Sequence, residues 1–68
     1  MEDYQERVVT EQKELAEKVV KLTTFVTNND NVIKLSETEY ALLREQLAIM
    51  IRYNELLIAR ILLFHEEA

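Results

Sequence analysis

The chain has 68 residues and a formal net charge of −5, and it contains no glycine, no proline and no cysteine. Glycine and proline supply most left-handed and sharply turned backbone, so their absence argues against β-hairpins and glycine-rich phosphate loops. The lack of cysteine excludes disulfides, thiolate zinc sites and a cysteine nucleophile. Apolar residues make up 49% of the chain, which is too apolar for a disordered acidic segment.

The length sets a ceiling of one domain, residues 1–68. A domain this small buries only ~60% of the surface that its unfolded chain exposes, so it usually needs staples or partners. Disulfides are impossible, and with His65 as the only histidine we expect no metal site and no cofactor. Oligomerisation remains as the source of extra stability.

The acidic balance restricts the classes of ligand. Long nucleic acid and anionic membranes need clustered Lys and Arg, which this composition does not favour. A small anionic ligand needs only a few well-placed cations and stays compatible with the charge. The charged start, MEDYQER, lacks the apolar core of a secretory signal, and we therefore expect a cytoplasmic location.

A first amphipathic helix is predicted over about residues 2–27. Its apolar seam repeats every seven residues at Val8, Leu15 and Leu22. A second row runs beside this seam and comprises Tyr4, Glu11, Lys18 and Phe25. The following stretch, 28–35, opens with four Asn and Asp residues, which compete with the backbone for hydrogen bonds and end helices. We expect a turn there.

Ser36 begins the second helix, predicted over about 36–65, because Ser36-Glu37-Thr38-Glu39 is a capping-box pattern. The connection is short, so the two helices are expected to fold back as an antiparallel hairpin. The predicted fold class is therefore all-α: a two-helix hairpin that assembles into a homo-oligomeric helical bundle.

The second helix has more apolar surface than one partner helix can cover, which indicates burial on several sides. A second apolar row repeats every seven residues, and the predicted oligomer interface consists of Leu42, Ile49, Leu56 and Leu63 together with Asn54. Asn54 interrupts the first seam and resembles the buried Asn that fixes register in coiled coils. A transmembrane span over 47–64 is disfavoured, because Arg52, Glu55 and Arg60 are costly in lipid.

Polar side chains set into the apolar faces are the candidates for ligand binding. Either Lys18 or Lys21 supplies a point charge, either Arg52 or Arg60 a fork for phosphate, and Tyr4 a ring that stacks on a base. The plainer alternatives are a structural ion pair between Glu11 and Lys18 across a subunit boundary, and arginine stems that cover apolar surface.

Catalysis has little support in the sequence. No Ser/His/Asp constellation is present, and His65 lies near the end of the second helix, where the helix dipole favours a solvated histidine. We therefore expect that the protein is not an enzyme and has no catalytic residues.

A resemblance covers nearly the whole chain. It rests on Tyr4-Gln5-x-Arg7-Val8-Val9, Glu11, Glu14-Leu15, Lys18 and Lys21-Leu22-x-x-Phe25 in the first helix. In the second helix it rests on Leu42-Leu43-Arg44-x-Gln46-Leu47-x-x-Met50, Tyr53, Leu57 and Arg60-Ile61. This pattern resembles a family of small phage-encoded helical-hairpin proteins, which is similar to the anti-CBASS and anti-Thoeris sponge proteins.

The resemblance implies a hexamer or other homo-oligomer that holds cyclic di- or trinucleotide immune signals between subunits without degrading them. It implies that Tyr4 is the aromatic contact, that Lys18 (with Lys21 as the alternative) is the lysine, and that Arg60 or Arg52 is the later arginine. The implied location is the cytoplasm of the host cell. The alternative function is a structural or protein-interaction module that self-associates or binds a host protein.

Overall fold

The structure is a computed structural model that describes residues 2–67. Its three helices are α1 (Asp3–Val26), α2 (Asn29–Val32) and α3 (Glu37–Glu67). Residues 2–67 contain no strand, and the predicted all-α class is confirmed.

Local side-chain caps explain where the two long helices begin. The Oε1 atom of Gln5 accepts a hydrogen bond from the backbone N–H of Glu2 at 3.0 Å, at the start of α1. The Ser36 hydroxyl accepts one from the backbone N–H of Glu39 at 3.1 Å, at the start of α3. The Ser36 half of the predicted capping box is thus present, and it satisfies one of the free N–H groups of the first turn.

The connection differs from the expected turn, because part of 28–35 is helical. The Oδ1 atom of Asn28 accepts a hydrogen bond from the backbone N–H of Asp30 at 2.9 Å and so caps the short helix α2. The same Asn chemistry that ends α1 therefore starts a new helical turn. The far end of α3 also differs, since this helix continues to Glu67 instead of ending near residue 65.

Helix α1 packs along α3, and the contacts run in opposite chain directions. The ring of Tyr4 meets that of Phe64 near one end, with centroids 5.7 Å apart. Near the middle, Gln12 donates to Asn54 at 3.2 Å. Toward the other end, Val26 and Leu47 line one shallow groove. The result is a rod with extents of 49 × 15 × 15 Å.

The core of this rod is narrow. Among the described residues the buried apolar side chains are Val8, Leu15, Val26, Leu47 and Leu57. Leu57 is 1% exposed and packs with Val8 and Leu15 at the centre of the core. Each fully buried side chain of this kind stabilises by ~1.5–3 kcal/mol. So few buried side chains contribute little stability against the conformational entropy that is lost when two long helices become ordered.

None of the helices in the described region combines the length and the apolarity that crossing a bilayer requires.

Candidate functional site

On one side of the rod, beside the Gln12–Asn54 pair, the Tyr53 hydroxyl of α3 donates a hydrogen bond to Oε2 of Glu11 on α1. Glu11 belongs to a row on α1 whose members are seven residues apart, and Tyr53 has Arg60 seven residues further along α3. Residues seven apart on a helix lie on nearly the same face. We call this side of the rod the Tyr53 flank, which comprises Tyr4, Glu11, Lys18, Tyr53 and Arg60.

The aromatic end of the Tyr53 flank is built by contact between the two helices. The rings of Tyr4 and Phe64 meet edge to face, with an interplanar angle of 85°. This arrangement is a preferred geometry for aromatic pairs. Tyr4 remains 49% exposed, so part of its ring is free to contact another molecule while Phe64 holds its position.

The electrostatics of the flank are centred on Tyr53. The hydrogen bond to Glu11 raises the pKa of the Tyr53 hydroxyl, and desolvation and the negative charge of Glu11 act in the same direction. The positive charge of Arg60 acts in the opposite direction and lowers this pKa. A carboxylate, a hydroxyl and a guanidinium therefore influence one another within the flank.

The two candidate lysines occupy neighbouring but different parts of the surface of α1. Lys18 is exposed and lies seven residues beyond Glu11, on the Tyr53 flank. Lys21 lines a different, shallow groove with Ala16, Glu17 and Val20, on the outward face of α1. A three-residue step turns a helix by about 300°, which is about 60° short of a full turn, so Lys21 lies beside Lys18 on the helix surface and is turned further toward the outward face.

The two candidate arginines are separated as well. Arg52 lies on the outward face of α3, where its side chain is 68% exposed and pairs with Glu55 at 3.8 Å. Arg60 is exposed on the Tyr53 flank. Tyr4, Lys18 and Arg60 thus lie on one side of the rod, Lys21 lies at the outer margin of this side, and Arg52 lies on the outward face of α3.

The residues predicted for the oligomer interface fall into two groups. Asn54 lies between α1 and α3, half-buried, and accepts a hydrogen bond from Gln12 of the same chain. The other four side chains project from α3 beside the Tyr53 flank and are 46–63% exposed; we call them the exposed row, namely Leu42, Ile49, Leu56 and Leu63.

Sequence reasoning missed the partners of several of these residues. The sequence patterns do not predict Phe64 as the partner of Tyr4 or Gln12 as the partner of Asn54. They also do not predict that Glu11, a candidate for an ion pair with Lys18 across a subunit boundary, accepts a hydrogen bond from Tyr53 of the same chain. The signal that could have found them is the antiparallel register. Once one cross-helix pair is fixed, each step forward on α1 matches a step back on α3.

The Tyr53 flank offers chemistry that suits a small anionic ring compound: an aromatic face, two separated cations and a carboxylate that accepts hydrogen bonds. The flank is open to solvent, so a single chain covers a ligand on one side. Among the described side chains, no three His, Asp or Glu residues come together in a way that would hold a metal ion.

Comparison with known proteins gives a family match. The family model described as Sequestin matches residues 2–63, which is most of the chain and includes every member of the Tyr53 flank. No curated protein and no solved structure gives a significant match.

Proposed function

The chain belongs to the Sequestin family, and from this premise we propose that it is a sequestering protein that binds a small cyclic nucleotide without converting it. The description of the family is compatible with a sequestering role. The proposed ligand is a cyclic di- or trinucleotide immune signal, and the proposed setting is a phage protein that counters a host defence of the CBASS or Thoeris type.

The observation that carries this proposal is the grouping of Tyr4, Lys18 and Arg60 on the Tyr53 flank. A cyclic oligonucleotide presents bases with flat faces and phosphates with negative charge. Tyr4 offers a ring for base stacking, Lys18 a point charge, and Arg60 a planar fork that matches phosphate geometry. Tyr4 and Lys18 are separated by about 21 Å along α1, so one ligand would take its aromatic contact and its lysine contact from different copies of the chain.

The binding pocket is proposed to lie between copies of the chain. The Tyr53 flank is open to solvent, while tight retention of a small ligand requires that most of its surface be buried. The exposed row next to this flank is the surface through which a second copy would close the pocket. A hexamer is the proposed assembly, and symmetry repeats the few cations of each chain around it.

The proposed mechanism is mass action. A protein that holds the signal tightly lowers its free concentration, and the host effectors that respond to the free signal then stay inactive. The extent of this effect depends on affinity and on the number of copies of the protein, because no ligand is consumed.

Isothermal titration calorimetry against a panel of cyclic di- and trinucleotides tests the proposal. We expect saturable binding of at least one compound at a fixed number of ligands per oligomer. Chromatography of the released ligand should recover it unchanged, since no chemistry is proposed. Absence of binding across the panel, or recovery of a hydrolysed product, would overturn the proposal.

The exposed row also favours a second candidate function, in which this face binds a host protein. Apolar side chains repeated along one helix face suit a helical partner. Affinity capture from a host lysate distinguishes the two candidates. A host protein recovered in stoichiometric amount, together with a negative nucleotide panel, would favour the interaction module.

A further inference from the structure

The exposed row has opposite charges placed along one of its edges. Glu45 follows Leu42 by three residues, and Arg52 follows Ile49 by three residues, so both lie on the side of the row away from α1. Gln46 and Tyr53 follow the same two apolar residues by four and lie on the side near α1. The row therefore has a charged edge and a Tyr53 edge.

The surface between the side chains of this row is shaped to receive a side chain from another helix. A shallow groove on this face is lined by Leu42, Glu45, Gln46, Ile49 and Met50. Positions i, i+3, i+4 and i+7 form the hole of knobs-into-holes packing between helices. Leu42 and Ile49 are each more than 60% exposed, so the hole is open in the single chain.

The charged edge distinguishes between the two directions in which a second α3 could lie on the row. In a parallel pair, twofold symmetry brings the charged edge of one copy beside the Tyr53 edge of the other. Glu45 then has no cation of the second copy beside it at the same height along the helix axis. Twofold symmetry of an antiparallel pair brings the two charged edges together. Charged residues that flank a helical seam set the orientation of the partner in this way.

We propose that two copies of the chain pair through their α3 helices in antiparallel orientation, with the twofold axis close to Ile49. In this register Leu42 lies opposite Leu56 of the second copy, and Glu45 lies beside Arg52 of the second copy. The symmetry produces each of these contacts twice. The pairing rests on the proposed homo-oligomer and specifies one of its interfaces.

The pairing has a consequence for the ligand site. The same symmetry places the two Tyr53 edges side by side, with Gln46 of one copy next to Tyr53 of the other. The two Tyr53 flanks then adjoin on one side of the pair, and a ligand between them is covered by both copies. In this pairing Arg52 faces the second copy, so of the two candidate arginines Arg60 is the one that stays available to phosphate.

Cysteine cross-linking tests the register without interference, because the natural chain contains no cysteine. The variants Leu42→Cys and Leu56→Cys are purified, mixed under reducing conditions and then oxidised. We expect a disulfide between the two variants in the mixture and little or none when either variant is oxidised alone. Ile49→Cys, near the axis, is expected to cross-link with itself and serves as the control for contact across this face.

Two outcomes would overturn the pairing. A disulfide-linked dimer of Leu42→Cys alone would mean that the helices are parallel. An oligomer in sedimentation that gives no disulfide in the Leu42→Cys and Leu56→Cys mixture would mean that a different surface is used. The proposed homo-oligomer would survive both results, whereas a folded monomer in sedimentation would remove the homo-oligomer as well.

A charge exchange gives an independent readout. The variant Glu45→Arg places like charges beside Arg52 of the second copy at both symmetry-related contacts. Because these charges repel, we expect self-association to weaken by roughly tenfold. The double variant with Arg52→Glu restores opposite charges and is expected to recover most of the affinity. Glu17→Arg, on the outward face of α1, makes the same charge change away from the row and should have little effect. Failure of the double variant to recover would count against the pairing.

Discussion

Tyr53 on α3 donates a hydrogen bond to the carboxylate of Glu11 on α1, across a separation of 42 residues in the chain. This bond connects the row that contains Tyr4 and Lys18 with the face of α3 that contains Arg60. It fixes the register of α1 against α3 on the side of the rod where the candidate ligand residues lie. The bond is therefore both a structural link and a determinant of the proposed site.

The first prediction concerns the pH dependence of this link. The hydrogen bond to Glu11 raises the pKa of Tyr53 in the folded protein. A raised folded pKa means that the contribution to stability is fully present below the unfolded pKa of about 10, and is lost as the pH rises through the folded value. We expect thermal unfolding at pH 8 to show Tyr53→Phe as less stable than the natural chain, and the difference to shrink above pH 10.

Tyr40→Phe is the matched control for this experiment, because the Tyr40 hydroxyl accepts a hydrogen bond from Arg44, 3.0 Å away, within the same helix. This hydrogen bond lies within α3, so Tyr40→Phe controls for the loss of a phenol hydroxyl that does not join α1 to α3. A difference between the natural chain and Tyr53→Phe that stays constant from pH 8 to pH 11 would contradict the assignment.

The second prediction concerns ligand affinity. Tyr4→Ala removes the stacking surface and Lys18→Ala removes a cation from the Tyr53 flank. Each is expected to weaken binding of the cyclic nucleotide found in the panel by roughly tenfold or more. Titration calorimetry measures the affinity, and sedimentation checks that the oligomer persists.

Two matched controls accompany these variants: the same change at a neighbouring lysine, and a conservative change at Tyr4. Lys21→Ala removes a lysine from the outward face of α1 and should leave affinity within about twofold of the natural chain. Tyr4→Phe keeps the ring and should retain most of the affinity. Equal losses in Lys18→Ala and Lys21→Ala would show that general charge, and not the Tyr53 flank, determines binding.

The periodicity of the sequence was enough to predict the two long helices, the Ser36 start of α3 and the seam that contains Val8 and Leu15. Those features depend on local caps and on apolar spacing, which a single sequence carries. The short helix α2 was missed, because an Asn side chain both ends one helix and caps the next. The sequence also leaves the choice between Lys18 and Lys21 open; the packing of α1 on α3 shows which face of α1 borders Tyr53, and the contact of Lys18 with a ligand stays a prediction.

The third prediction concerns the core. Leu57 is 1% exposed and contacts side chains of both long helices, so Leu57→Ala leaves a cavity where little can collapse. We expect a loss of about 2–5 kcal/mol in the free energy of unfolding, measured by urea denaturation at fixed protein concentration. Ile33→Ala, at a side chain that is 79% exposed, should cost less than about 0.5 kcal/mol. Similar losses in both variants would contradict the placement of the core.

The fourth prediction concerns the amide pair inside the rod. Gln12 donates to Asn54 at 3.2 Å, and both side chains are half-buried. Replacing one of them by Leu leaves the other amide without its partner, at a cost of roughly 1–3 kcal/mol. Replacing both removes the unsatisfied group and adds apolar surface, so the double variant is expected to be close to the natural chain in stability.

The same cycle separates two roles for Asn54. If its partner is Gln12 of the same chain, the losses of the two single variants are strongly non-additive, as expected for residues in contact. If Asn54 instead fixes register between copies, Asn54→Leu changes the oligomer measured by sedimentation and its effect adds to that of Gln12→Leu. We expect the first result, because the amide of Asn54 is already engaged within one chain. An additive cycle with an altered oligomer would show that the polar residue of this seam acts between copies.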